Sequence, residues 1–162
     1  MSLTIRLSRN GDGTAELVLL RSPGGTVQLP LGPADGFGPA HDLALYAVES
    51  ELGLRRGFFG LASDGAAIGH LHIAPGASTA EEVVLADAVA GVLARESFGQ
   101  ALSIEGFNFE VSAGVAARRS GIRAPELPEP LVEQLRTVYG SLRRRWAETS
   151  PHGTLELEWV GE

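Results

Sequence analysis

The sequence contains no cysteine, and all thirteen of its basic residues are arginine, so lysine is missing as well. Without cysteine there is no disulfide, no thiolate nucleophile, no iron–sulfur cluster and no cysteine-ligated zinc. Without lysine there is no Schiff base, no attachment point for pyridoxal phosphate and no P-loop lysine. Arginine without lysine, alongside abundant alanine and glycine, is what a GC-rich genome encodes. Long apolar runs are also lacking: residues 17–20 and 88–94 are the longest, far below the ~20 residues needed to cross a bilayer. The opening residues lead into polar Ser8, Arg9 and Asn10 instead of a secretory apolar stretch, so a cytoplasmic protein without a membrane partner is expected.

What is present fits one α+β domain over residues 1–162. Hydrophobic residues make up 44% and charged residues 20%, within the globular range and away from disorder. A chain of this length buries roughly 70% of its unfolded surface around one core. The net charge of −7 repels a phosphate backbone, and no nucleic-acid-binding motif offsets it, so nucleic acid is excluded as a partner. The run Arg143-Arg144-Arg145 is read as a solvated helix C-terminus, where cations meet the negative end of the dipole.

Alternation at period two marks strands at residues 3–8, 14–21 and 154–160, and a short one at 26–29 that Pro30 stops. Asn10-Gly11-Asp12-Gly13 and Ser22-Pro23-Gly24-Gly25 supply the turns of a three-stranded meander. Helices are expected from Pro39 to Leu52, ended by Gly53, and from Ser78 to Ser97, opened by a capping box of Ser78 and Glu81. A third follows the prolines at 125, 128 and 130, with Leu131, Leu135, Val138, Tyr139, Leu142 and Trp146 on one face. The expected fold is thus a four-stranded antiparallel sheet, meander plus C-terminal strand, with three main helices on one face. Residues 54–76 resist assignment beyond a short strand near 68–73. For residues 99–124, Gly106, Asn108 and Gly114 argue for a broken helix despite the spacing of Phe107, Val111 and Val115.

The segment His41-Asp42-Leu43-Ala44-Leu45-Tyr46-Ala47-Val48-Glu49, the turn Gly57-Phe58-Phe59-Gly60-Leu61 and the closing Gly153-Thr154-Leu155-Glu156-Leu157-Glu158-Trp159 resemble a group of bacterial proteins with no assigned activity. Those share an H-D-L-x-H-Y-x-V-E helix, and here Leu45 stands where the pattern has its second histidine. The resemblance implies a bacterial protein and no mechanism. Two histidines four apart can chelate a metal, and Leu45 removes that pair.

Asp42, Tyr46 and Glu49, at i, i+4 and i+7, share one side of the first helix with His41 adjacent, and Arg55 and Arg56 follow it. Read as function, these six residues edge a ligand site in a groove between the helix start and the 55–60 turn, with no cofactor. Read as structure, Asp42 favours the helix dipole and Glu49 faces solvent. His70 and His72 share a strand face if 68–73 is extended, and with His41, Asp42 and Glu49 they would serve a metal-dependent hydrolase or isomerase. No G-x-S-x-G, G-x-G-x-x-G or H-E-x-x-H pattern occurs. The leading expectation is a non-catalytic domain binding a protein partner or a small molecule, as a homodimer through its sheet edge or helix faces.

Overall fold

Strands β1 (Ser2–Arg9), β2 (Thr14–Ser22) and β3 (Gly25–Pro33) form an antiparallel meander in the computed structural model, which describes residues 2–22, 24–65, 81–118 and 121–160. The first turn is tight because Asp12 Oδ1 accepts from the Thr14 amide and hydroxyl at 3.0 and 2.6 Å, and Gly13 takes a φ of 86° that a side chain would resist. β4 (Thr154–Val160) returns beside β1, giving the antiparallel order β3-β2-β1-β4. The four-stranded antiparallel sheet read from the alternation is therefore present.

Register explains the alternation. Ile5 lies opposite both Leu19 and Leu157, and Leu7 opposite both Leu17 and Leu155, so one face of the sheet is apolar and buried across β1, β2 and β4, with Val27 and Leu29 of β3 partly buried at its edge. The other face carries polar cross-strand pairs, including Arg6 Nε to Glu156 Oε2 at 2.8 Å and Thr4 Oγ1 to Glu158 Oε1 at 3.0 Å. β3 runs past Pro30, where it was expected to stop. It is an edge strand, and a register slip between Ala15 and Glu16 sets Glu16 opposite Pro30, so the missing proline N–H costs the ladder little.

Helices α1 (Phe37–Leu52), α2 (Phe58–Ser63), α3 (Glu81–Ser97), α4 (Ile104–Arg118) and α5 (Glu129–Ala147) lie on the apolar face. α1 is central: it packs on β3, α2, α3 and α5, while α2 sits over β1 and β4 and α4 packs against α3. α1 starts before Pro39 because Gly38 lets the chain press against β3; a Cβ there would stand 2.2 Å from the Leu31 carbonyl oxygen. Gly53, at φ 64°, closes the helix as its sequence implied. On α5, Leu135, Tyr139, Leu142 and Trp146 are buried as expected, and the Trp146 indole donates to the Ala34 carbonyl at 2.8 Å.

Two expectations are corrected. The Gly57–Leu61 stretch is part of a short helix, with Phe58 and Phe59 buried, instead of a turn. Residues 104–118 form one unbroken helix, because tertiary contacts give each suspected breaker a task. Ser103 caps the start by accepting from the Gly106 amide at 3.0 Å. Asn108 clamps the following connector, donating to the Leu127 carbonyl at 2.9 Å and accepting from its amide at 2.8 Å. Gly114 lets α4 approach α3, since a Cβ there would stand 3.3 Å from that of Ala88. The strand expected at 68–73 and the cap at Ser78 lie outside the described residues. No helix of the described residues is long and apolar enough to cross a membrane.

Candidate functional site

The polar residues of α1 turn inward. Asp42 is 2% exposed and Glu49 0%, which overturns the reading that Glu49 faces solvent. They do not converge on one cavity, however, and the row divides into three local structures.

At the start of α1, His41 Nε2 stands 3.0 Å from Asp87 Oδ1 on α3, and His41 Nδ1 stands 3.7 Å from Asp42 Oδ1. Asp87 is held from its other side by Arg118 of α4, Nε to Oδ2 at 2.6 Å. One chain of charges therefore ties three helices together. Burial opposes the charge on His41, but hydrogen bonds and attraction from Asp42 and Asp87 outweigh it and raise the imidazolium pKa from 6.5 to about 9. Burial likewise opposes ionisation of Asp87, and its two cationic partners reverse the balance, holding the carboxyl below its ordinary value.

One turn before the end of α1, Glu49 lies under the start of α2. Its Oε1 accepts from the amides of Phe59 at 3.0 Å and Gly60 at 3.4 Å, and its Oε2 is buried without a hydrogen bond. Burial dominates over the amides and pushes the carboxyl up from 4.5 to about 8, so Glu49 is a neutral acid at pH 7. The expected groove is closed here: a Cβ on Gly57 would stand 2.4 Å from Glu49 Cδ, and one on Gly60 would stand 1.8 Å from the Arg55 carbonyl oxygen. Gly57 and Gly60 are thus explained by close packing.

Tyr46 faces the sheet. Its hydroxyl donates to the Glu158 carbonyl at 2.8 Å, and its ring meets those of Phe59 and Trp159 edge-on at 6.1 and 6.3 Å. Burial raises its phenol pKa. Arg55 and Arg56 are exposed on the loop into α2, where the Arg56 amide donates to Glu82 Oε2 at 3.1 Å. His70 and His72 lie outside the described residues. Among the described residues, no group of three His, Asp or Glu side chains is arranged to hold a metal ion.

A concave surface lies elsewhere. Between α3 and α5 runs a cleft of about 350 Å³, with Leu93, Glu96 and Ser97 on one wall and Arg136, Tyr139, Gly140 and Arg143 on the other. Arg136 is engaged there: it holds Glu96 through Nε at 2.7 Å and Nη2 at 3.0 Å, and Glu133 through Nη1 at 2.7 Å. Arg143 makes hydrogen bonds only through Nη1, to Ser97 Oγ at 3.0 Å and Tyr139 OH at 3.2 Å, and has no carboxylate partner among the described residues. Its guanidinium lies over the ring of Phe98, 5.0 Å from the centroid, and Phe98 is 52% exposed. Arg143 was read as part of a solvated cationic run. Two signals pointed elsewhere: Tyr139 four residues before it on the buried face, and Gly140 interrupting an otherwise regular helix. A second hollow of about 370 Å³ follows the β2–β3 slip and includes Glu16, Gln28 and Pro30. No family model, curated protein or solved structure matches this chain.

Proposed function

We propose that this chain is a non-catalytic, small-ligand-binding domain of the bacterial cytoplasm, and that its ligand seats in the cleft between α3 and α5. The observation that carries this reading is the unmatched guanidinium of Arg143 in a concave surface of about 350 Å³, at the lower end of the range of about 300–1,000 Å³ usual for small-molecule sites. A non-catalytic role is supported by the places of the shifted titratable groups. Glu49, the neutral acid, is 0% exposed, so no substrate reaches it, and His41 is pinned to Asp87.

Gly140 supports the same reading. Glycine inside a helix costs about 0.5–1 kcal/mol relative to alanine. A Cβ at 140 would meet nothing within 4 Å, so packing does not call for glycine there; an open cleft does. Thermal-shift screening of a metabolite library against the parent and Gly140→Leu tests this. At least one compound should raise the Tm of the parent and leave the cleft-filled variant unmoved. If no compound shifts the parent, or both proteins shift alike, the reading falls, and the protein-partner alternative takes its place if a partner co-purifies.

A further inference from the structure

We infer that the cleft takes a small organic carboxylate, clasped by the Nε–Nη2 edge of Arg143, with an apolar body resting on Phe98; this rests on the reading of the α3–α5 cleft as the ligand site. The argument begins with protons. The Ser97 hydroxyl donates to the Ala94 carbonyl at 2.5 Å, so at 3.2 Å the Tyr139 hydroxyl is the donor to Ser97 Oγ, and Tyr139 OH in turn accepts from Arg143 Nη1. Neither hydroxyl has a proton left to offer a ligand. The relay from Arg143 through Tyr139 and Ser97 to Ala94 fixes the guanidinium and uses one of its nitrogens.

What remains is Nε–H and Nη2–H, which make no hydrogen bond among the described residues. In a guanidinium these two N–H groups lie parallel on one edge, at the spacing that matches the two oxygens of a carboxylate. The rings of Phe98 and Tyr139 lie 5.0 and 5.8 Å from the Arg143 carbon, so apolar surface borders the fork. Leu93 lines the cleft at 1% exposure, and exposed Phe98, which lies against Arg143, meets exposed Phe37, with centroids 6.3 Å apart. An apolar body is therefore as well matched as the charged head.

Charge selects the head group. A phosphate dianion calls for more than one cation, yet Arg136, the other arginine in the cleft, is engaged by Glu96 and Glu133. Glu96 itself lines the cleft, and among the described residues its charge is compensated only by Arg136. One free fork on a chain of net charge −7 suits a monoanion.

Isothermal titration with phenylacetate, phenylacetamide and inorganic phosphate as probes decides the matter. Phenylacetate should bind the parent, with the amide and phosphate weaker by at least roughly ten-fold, the size of a lost charge-assisted hydrogen bond. Arg143→Lys keeps the charge without the fork and should lose a similar factor for phenylacetate. Arg143→Gln should lose as much, and thermal melts should find both variants folded. Phe98→Ala should weaken phenylacetate and leave acetate unchanged. Equal binding of the amide, tighter binding of phosphate, or undiminished binding by Arg143→Lys would each overturn the assignment. A neutral ligand blocked by Gly140→Leu but indifferent to Arg143→Lys would sink the carboxylate and spare the cleft, whereas a parent that binds no small molecule sinks both.

Discussion

Along α1, His41, Tyr46 and Glu49 are each fastened to a neighbouring element, whereas across the α3–α5 cleft Arg143 keeps two of its nitrogens unengaged among the described residues. The residue types are alike, and their surroundings separate them. α1 is packed on β3, α2, α3 and α5, so the polar groups on its inward sides become struts between elements. α5 has one face on α1 and another open at Gly140, where a cation can stay half-exposed. A polar row on a helix is thus a weak guide to a binding site until the neighbours of that helix are known.

The sharpest way to break this contrast is at the seal over Glu49. Gly60→Ala would drive a Cβ to within 1.8 Å of the Arg55 carbonyl oxygen, a backbone atom that cannot swing aside, so urea unfolding should register a loss of about 3 kcal/mol or more. A loss below about 1 kcal/mol would mean that the α1–α2 contact is loose.

A second test uses pH and both struts. Glu49 has its folded pKa raised from 4.5 to about 8, so its contribution to stability is full below pH 4.5 and is lost as pH rises to about 8. His41, raised from 6.5 to about 9, contributes fully below pH 6.5 and loses that contribution as pH rises through about 9. Stability should therefore decline from mildly acidic to alkaline pH. Glu49→Gln, which keeps an acceptor for the α2 amides, should flatten the lower part of that decline and leave the protein more stable at pH 8 by on the order of 2 kcal/mol. His41→Asn should flatten the upper part, with its Tm meeting that of the parent near pH 9 to 10. Parallel profiles for parent and variants would show that these groups are not held as described.

The smallest effect is on the open side. Gly140→Ala should raise stability by about 0.5–1 kcal/mol, because α5 gains a better helix former and the added methyl meets nothing within 4 Å. Destabilisation would mean that the space beside Gly140 is already filled.

The sheet and the long helices were legible in the sequence because their signals are local. Leu155, Leu157 and Trp159 alternate, and Leu135, Tyr139, Leu142 and Trp146 recur with the helical period, whatever lies opposite them. The misreadings share the reverse cause. Gly106, Asn108 and Gly114 read as helix breakers, and only the nearness of Ser103, Leu127 and Ala88 makes them useful within α4. At the candidate site, the fate of His41 hangs on Asp87, 46 positions away, and that of Arg143 on Ser97, 46 positions the other way. Glu49 could be singled out as unusual on an apolar helix, but its burial depends on α2 folding back over it through two glycines. Pairings over such separations leave no periodic trace.

The two margins of the sheet also bear on how this chain behaves in crowded solution. A bare strand is a template on which other chains add by backbone pairing, the first step toward fibrils. On β4 two of the carbonyls such a guest would use are taken by side chains: the Tyr46 hydroxyl on that of Glu158 and, at 3.5 Å, Arg145 Nη2 on that of Glu156. On β3, Pro30 and Pro33 offer no N–H, and the slip opposite them breaks the row. Each margin is thus interrupted along part of its length, at the Glu156 and Glu158 carbonyls on β4 and from Pro30 onward on β3, which shortens the stretch on which another strand can pair.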